Sequence, residues 1–519
     1  MKQTSPRVSS DNPSPTTKDA PDFEVDEKTP ETVCNEQPRS PYSILPEKEK
    51  IFNLLLCSLV NFLCPVASNI YYPALGPLSR AMHVSRTEIN LTITAYKLVQ
   101  AFTPLITASY SDRNGRRPVL FVCLIIFLGS NIGLALQSHY AALVVLRCLQ
   151  SFGSSSISVL ATASVADLVT RSERGKYLFY STLGSTVGPA LGPVVGGLLI
   201  QFLGWRSAFW FLAILTGPII VAVIVCFRET CRAVTGNGSI PPPRWNQSIL
   251  QMVRRKHQPE PDHDTRTVYK KRPSFLDVIK IVGNKHVGLL ILGSTVRFSG
   301  SMAILTTLPA MLEEKYHYNP LQVGLCYLPF VAGGIATRWT VGTVADWNFR
   351  RHARQNGVEL LPNQQPEIDN IPVEKARLQI TLPLMYLSSV FALGYGWVMN
   401  YNVHIAGPLV FLFLFGNTGT GISNSVKMLV VDIHTERPAT ATAAMNSFKN
   451  LVGAGVVAAA MPLIDAIGIG WVGTICACIW FLVTPAFWIV YFQGHGWRKH
   501  KSEEEESTEP RHPELRYNH

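Results

Sequence analysis

Runs of apolar residues recur at roughly 51–75, 88–111, 118–137, 141–167, 177–203 and 206–227. Six more follow at 286–312, 321–345, 377–399, 404–430, 439–466 and 471–493. A helix needs about 20 such residues to cross a bilayer, so the pattern predicts twelve transmembrane helices and an all-α membrane protein. A polar stretch, 228–285, separates the runs six and six; it contains Pro241-Pro242-Pro243 and many bases. The first 50 residues are rich in Pro, Ser, Thr and acids without periodicity, which predicts a disordered tail. The predicted organisation is a tail at 1–50, a six-span bundle at 51–227, a central loop at 228–285, a second bundle at 286–493 and a tail at 494–519. That last tail carries the acidic run Glu503 to Glu506. The central loop is too irregular to make a domain of its own.

Composition narrows the class. Hydrophobic residues make up 47% of the 519 positions and charged residues only 16%, against about 25% charged in soluble chains. Mean hydropathy is positive, +0.17. A single soluble domain is excluded. The net charge of +11 raises nucleic acid as a partner, but the placement of the bases argues otherwise. The loops on one side hold 23 Lys and Arg, and those on the other hold four: Arg80, Arg86, Arg206 and Lys315. That asymmetry orients both termini to the cytoplasm. The first apolar run lacks a small-residue cleavage pattern, so no cleavable signal is expected. Of ten cysteines, eight fall in apolar runs and none in a predicted outer loop, so structural disulfides are not expected. Cys476 and Cys478 have no His or Asp nearby to complete a metal site. With no phosphate loop, ligand cluster or triad in a soluble region, neither a cofactor nor an enzymatic activity is expected.

The two halves repeat. After the second run the chain reads Asp112-Arg113-Asn114-Gly115-Arg116-Arg117, and after the eighth Asp346-Trp347-Asn348-Phe349-Arg350-Arg351, 234 residues on. Asp167 and Asp432 end the fourth and tenth runs 265 residues apart, the difference being the longer loop after Asp346. Gly204-Trp205 and Gly470-Trp471 match in the same way. An acid at such a turn can face the positive N-terminus of a neighbouring helix, and paired arginines can hold carboxylates or lipid phosphates. Asp112, Arg116, Arg117, Asp346 and Arg350 are therefore candidate gating residues. Gly188, Pro189, Gly192 and Pro193 recur every four residues on one face of the fifth run. Small residues there allow close helix approach and prolines bend a span, which makes them a second conformational set.

These segments carry a family resemblance. Ser111 to Arg117 resembles the loop motif of the major facilitator superfamily, with Ala108 and Tyr110 in place of its usual Gly and Leu. Arg147-Cys148-Leu149-Gln150-Ser151-Phe152-Gly153 resembles the fourth-span motif. Gly184, Gly188-Pro189, Gly192-Pro193 and Gly196-Gly197 resemble the fifth-span antiporter motif. Together with Trp205-Arg206 and Phe209-Trp210, the chain is similar to the fungal twelve-span drug:proton antiporters, and within that group it resembles the citrate exporters of filamentous fungi. The resemblance implies two six-helix bundles that rock about a central cavity lined by spans 1, 2, 4, 5, 7, 8, 10 and 11.

Charges inside spans are costly and point to function. Six bases lie in or beside apolar runs: Lys97, Arg147, Arg297, Arg338, Lys427 and Lys449. They fall in spans 2, 4, 7, 8, 10 and 11, while Asp and Glu occur only near span ends. A basic cavity without a central acid suits a polyanion, and Arg binds carboxylates through its planar fork. Arg297 is the first expected carboxylate ligand and Arg147 the second, helped by Gln150; Lys97 and Lys449 come third. Arg338 lies closer to the cytoplasm, and Lys427 is placed to snorkel. Serine and asparagine stripes beside these bases, such as Ser151, Ser154 and Ser158, are expected to face water. The reading is a monomeric plasma-membrane exporter of citrate or a related di- or tricarboxylate, surrounded by lipid, with protons left open as a second cargo. A multidrug:proton antiporter and a non-transporting receptor are the alternatives.

Overall fold

The computed structural model describes residues 45–168, 174–236, 240–254, 283, 285–357, 372–401, 403–433 and 438–508. Most of the expected N-terminal tail, much of the central loop and the last residues of the chain lie outside these. Twelve long helical segments follow one another. They are α1 (Glu47–Met82), α2 (Arg86–Asn114), α3 (Arg116–Leu136), α4 (Tyr140–Leu168), α5 (Arg174–Leu203), α6 (Arg206–Cys226), α7 (Lys285–Tyr316), α8 (Pro320–Gln355), α9 (Val373–Asn400), α10 (Ala406–Ile433), α11 (Pro438–Ile467) and α12 (Ile469–Thr508). Among the described residues, nine are long and apolar enough to cross a membrane; α2, α5 and α10 complete the twelve.

Local chemistry sets several ends. Ser85 starts α2 with a capping box: its hydroxyl accepts from the Glu88 amide (3.2 Å), and the Glu88 carboxylate accepts from the Ser85 amide (2.8 Å). Asn319 and Gln322 do the same for α8, satisfying donors that the first turn leaves unpaired. Two helices are interrupted. α1 passes through a 3-10 turn at Tyr72–Ala74, and α8 contains a wide π turn at Arg338–Gly342. The last helix runs to Thr508, so residues 494–508, expected as tail, extend the final span as helix.

The packing repeats with a period of six helices. In the first half α1 packs on α4, α5 and α6, α2 on α4, and α3 on α4 and α6. The second half reproduces each pair: α7 on α10, α11 and α12, α8 on α10, and α9 on α10 and α12. Across the halves, α2 packs on α11 and α5 on α8, and these two pairings exchange under the same six-helix shift. Buried leucines, valines and aromatics fill both halves, while Ile106, Val122, Ile214, Val221, Leu482 and Phe492 point outward. Outward apolar faces are what a surrounding of hydrocarbon requires. The loops after α2, α4, α6, α8 and α10 lie at one end, hereafter the basic end; the other loops lie at the opposite end.

Candidate functional site

At the basic end of the first half, Arg116 is enclosed by acids. It forms an ion pair with Asp112 one turn earlier, its Nε donates to Asp167 at the end of α4 (3.0 Å), and its Nη1 donates to the Ser111 hydroxyl (2.6 Å). Asp167, the last residue but one of α4, is itself buried. Arg117 turns away and donates to the Ile224 carbonyl of α6 (2.9 Å).

Sequence reasoning missed the centre of this network, Glu229. Its carboxylate accepts from the amides of Arg116 (2.8 Å), Arg117 (3.1 Å), Thr230 (3.0 Å) and Cys231 (2.9 Å), and from the Asn246 side chain (2.8 Å). The acid just past α6 thus caps the N-terminus of α3, where unpaired amides and the helix dipole favour an anion. Gly115 precedes that helix at φ +103°, and a Cβ there would strike the Glu229 carboxylate. Only glycine fits on both counts.

The second half carries the same device in altered form. Arg377, near the start of α9, reaches Asp432 at the end of α10 (3.6 Å), as Arg116 reaches Asp167. Glu374 is fully buried beside Arg498 of α12 (3.6 Å) and His286 of α7 (3.9 Å). The sequence repeat pairs Arg350 with Arg116, but Asp346 and Arg350 are exposed on the extension of α8, with no ion pair for either among the described residues. The longer loop after α8 shifts the bonding arginine to the next helix.

The interior cations divide into two kinds. Arg147 is 1% exposed, stacked between the rings of Tyr71 (3.9 Å) and Tyr96 (4.4 Å). It donates to Gln150, whose amide donates to Asn131 of α3 (2.7 Å). The serines beside it are not cavity-lining. Ser151 donates to the Tyr96 carbonyl (2.7 Å), Ser154 bonds the Tyr96 hydroxyl (2.7 Å), and Ser158 donates to Asn61 (2.6 Å). This stripe stitches α4 to α1 and α2, a correction to its expected exposure to water. Arg297 is likewise enclosed in its own half. Its Nε donates to Ser388 of α9 (3.2 Å), and Phe415 and Trp480 lie over the guanidinium at 5.2 and 5.6 Å. A Cβ at Gly419 would collide with it, so that glycine makes its room.

The lysines differ. Lys97 on α2 donates to Gln100 (2.9 Å). Lys449 on α11 donates to Ser423 (3.3 Å), with the Phe298 ring 5.8 Å away. Both are buried, and both stand on the helices that pack across the halves. Lys427 is exposed, as are Asn424 and Asn446 near it in sequence or one helix over; Arg338 is exposed at the π turn. None of the six bases forms an ion pair with a carboxylate among the described residues.

On α5 the small residues serve two faces. A Cβ on Gly184, Gly188, Gly192 or Gly196 would run into Ser58, Pro65, Asn69 or Ile70 of α1. Pro193 and Gly197 instead meet Gly324, Pro320 and Leu321 of α8. The opposite end is further joined by two ion pairs, Arg80–Glu313 and Arg86–Glu314, and by Tyr72 stacked on Tyr327 at 5.6 Å. All these cross-half contacts lie at the opposite end, whereas the ion pairs given above for the basic end join described residues of one half.

The Major Facilitator Superfamily model matches residues 57–458. MFS-type transporter R5 of Phoma sp. is 43% identical over 460 residues, 88% of this chain and 87% of the relative. The multidrug transporter QDR2 of Candida glabrata is 29% identical over 478 residues, 87% of this chain and 81% of that one. Among solved structures, the human organic anion transporter MFSD10 superposes with a TM-score of 0.54 at 18% identity, covering 85% of this chain and 100% of the other. That likeness is one of fold.

Proposed function

The chain belongs to the major facilitator superfamily, and from that premise we propose that this multi-pass membrane transporter exports a small organic polycarboxylate, citrate or a close relative, across the plasma membrane. The observation that carries the reading is the set of buried bases, above all Lys97 and Lys449, that form no ion pair with a carboxylate among the described residues. A drug exporter for lipophilic cations needs the opposite charge. Membership of a family of transporters, which are not enzymes, leaves no enzymatic role.

In this reading the basic end faces the cytoplasm, together with both termini, and the described contacts correspond to a carrier closed on the outside. The anion enters from the cytoplasm. Lys449, Lys97 and, nearer the entrance, Lys427 and Arg338 hold its carboxylates; Arg297 and Arg147 raise the local potential from inside their own halves. This reverses the order expected from sequence, because aromatic rings and Ser388 already occupy the surroundings of the two arginines. A carboxylate bridging α2 and α11 couples binding to the motion of the halves. Export then requires the ion pairs Arg80–Glu313 and Arg86–Glu314 to part. A trivalent anion leaving a negative cytoplasm is driven by about 7 kcal/mol per 100 mV, at about 2.3 kcal/mol per charge. Protons are not required for that direction. The carrier works as a monomer.

The test is efflux of labelled citrate from cells expressing the chain, beside efflux of a cationic dye. Citrate efflux is expected, reduced at least about tenfold in Lys449→Gln and in Lys97→Gln, as befits loss of a charge-assisted contact of about 1.5–3 kcal/mol. Dye efflux without citrate efflux would favour the antiporter reading that the similarity to QDR2 suggests. Binding without any flux would favour a receptor.

A further inference from the structure

Past the end of α6, the described part of the central loop forms a turn at Arg244–Asn246 and a short helix at Ile249–Arg254. Two bonds hold it in place. Asn246 donates to Glu229, the cap of α3, and Gln247 donates to the Pro242 carbonyl (2.6 Å). Asn246, Gln247 and Ser248 are buried, and the short helix packs on α6. Its height is therefore that of the helix ends, just where a bilayer gives way to water.

On this anchored piece Trp245, Ile249, Met252 and Val253 are exposed, by 66%, 47%, 49% and 76%. On the short helix, Ile249, Met252 and Val253 share one face, at offsets of 3 and 4, and Trp245 stands in the turn just before it. The short helix packs on α6, which itself exposes apolar residues such as Ile214 and Val221. In sequence the stripe is flanked by Arg244 and Arg254, within a loop holding twelve Lys and Arg. An apolar stripe bordered by bases, with a Trp at the level of the headgroups, matches the chemistry of an interfacial anchor.

We propose that residues 245–253 lie in the leaflet surface, with Trp245, Ile249, Met252 and Val253 inserted at the headgroup–acyl boundary of a leaflet whose anionic phosphates the basic sequence of this loop favours. The inserted stripe joins lipid to the Glu229 cap, and through it to Arg116 and the start of α3. This inference requires that the helices span a membrane and is independent of what is carried.

The test uses the full chain in nanodiscs of phosphatidylcholine with one quarter phosphatidylserine. Nitroxides are attached to Ile249→Cys and Val253→Cys in a background with Cys34 and Cys478 replaced by Ser. Val221→Cys, on the outward face of α6, is the lipid reference; Arg354→Cys, exposed at the end of α8, is the water reference. The ratio of oxygen to aqueous nickel accessibility at 249 and 253 is expected to exceed the Arg354→Cys value by about threefold or more, as for a side chain buried several ångströms into the interface. A ratio equal to that at Arg354→Cys would place the stripe in water and overturn the proposal. Exclusion of both relaxants would mean that protein covers the stripe, a partner or a second copy, and would overturn it as well.

Discussion

Replacing Glu229 by Gln alters one atom and tests how the basic end is built. One carboxylate oxygen accepts from the amides of Arg116, Thr230 and Cys231, the other from the Arg117 amide and Asn246. A glutamine keeps one acceptor. With its oxygen on the three-amide side, its NH2 faces two donors, and each stranded donor costs about 1–3 kcal/mol when buried. Loss of the negative charge from the α3 terminus adds about 0.3–1 kcal/mol. A destabilisation near 3 kcal/mol is therefore expected for Glu229→Gln. The control is Glu49→Gln, which breaks the partly exposed ion pair with Arg228 and should cost about 1 kcal/mol or less. The assay is unfolding of the purified protein on titration with a denaturing detergent, with hydrogen exchange of residues 240–254 followed in parallel. Glu229→Gln should shift the midpoint clearly further and speed exchange in that segment. Equal shifts for the two variants would refute the account of Glu229 as the keystone of the network.

Three other outcomes are expected. Gly192→Val drives a side chain into Asn69 and should lower thermal stability, by about 1–3 kcal/mol for an overpacked interface, whereas Gly217→Ala, with open space around it, should be neutral in the same melt. Arg80→Glu should increase labelling of cysteines placed at the opposite end, and adding Glu313→Arg should restore protection; because both members are partly exposed, the pair contributes under about 1 kcal/mol, and failure of the double variant to recover would remove the latch. Asp167→Ala leaves the buried Arg116 guanidinium without the acceptor of its Nε (3.0 Å) and should cost about 1–3 kcal/mol; a melting temperature equal to that of wild type would contradict it.

The helices and their twofold repetition were legible because hydrophobicity along the chain is set directly by the lipid that each span must face. Helix ends were less so. Hydropathy stops at the membrane surface, while the hydrogen-bond ladder of α12 continues through the acidic run to Thr508. The loop arginine of the first half was found from its motif; its counterpart Arg377 was hidden by 31 additional residues that shift the second half out of register. Arg297 was correctly placed in the middle of its span, but depth does not say which side of a helix faces a neighbour. Its enclosure by Ser388, Phe415 and Trp480 depends on three other helices. Glu229 left almost no trace, since four of its five partners are backbone amides, which every residue type except proline supplies.

The uncompensated bases also bear on how the chain reaches its place. A Lys or Arg at the centre of an inserting helix opposes entry by about 2.5–3.5 kcal/mol, and Lys97, Arg147, Arg297 and Lys449 put that burden on α2, α4, α7 and α11. Three of the four have neighbours on other helices that relieve them: Arg147 the tyrosines of α1 and α2, Arg297 the rings of α10 and α12, and Lys449 Ser423 of α10; Lys97 has Gln100 of its own helix. For Arg297 those rings arrive only after more than a hundred further residues have been synthesised. The shielding of Arg297 is therefore expected to be complete only once the final helix, which carries Trp480, is in place.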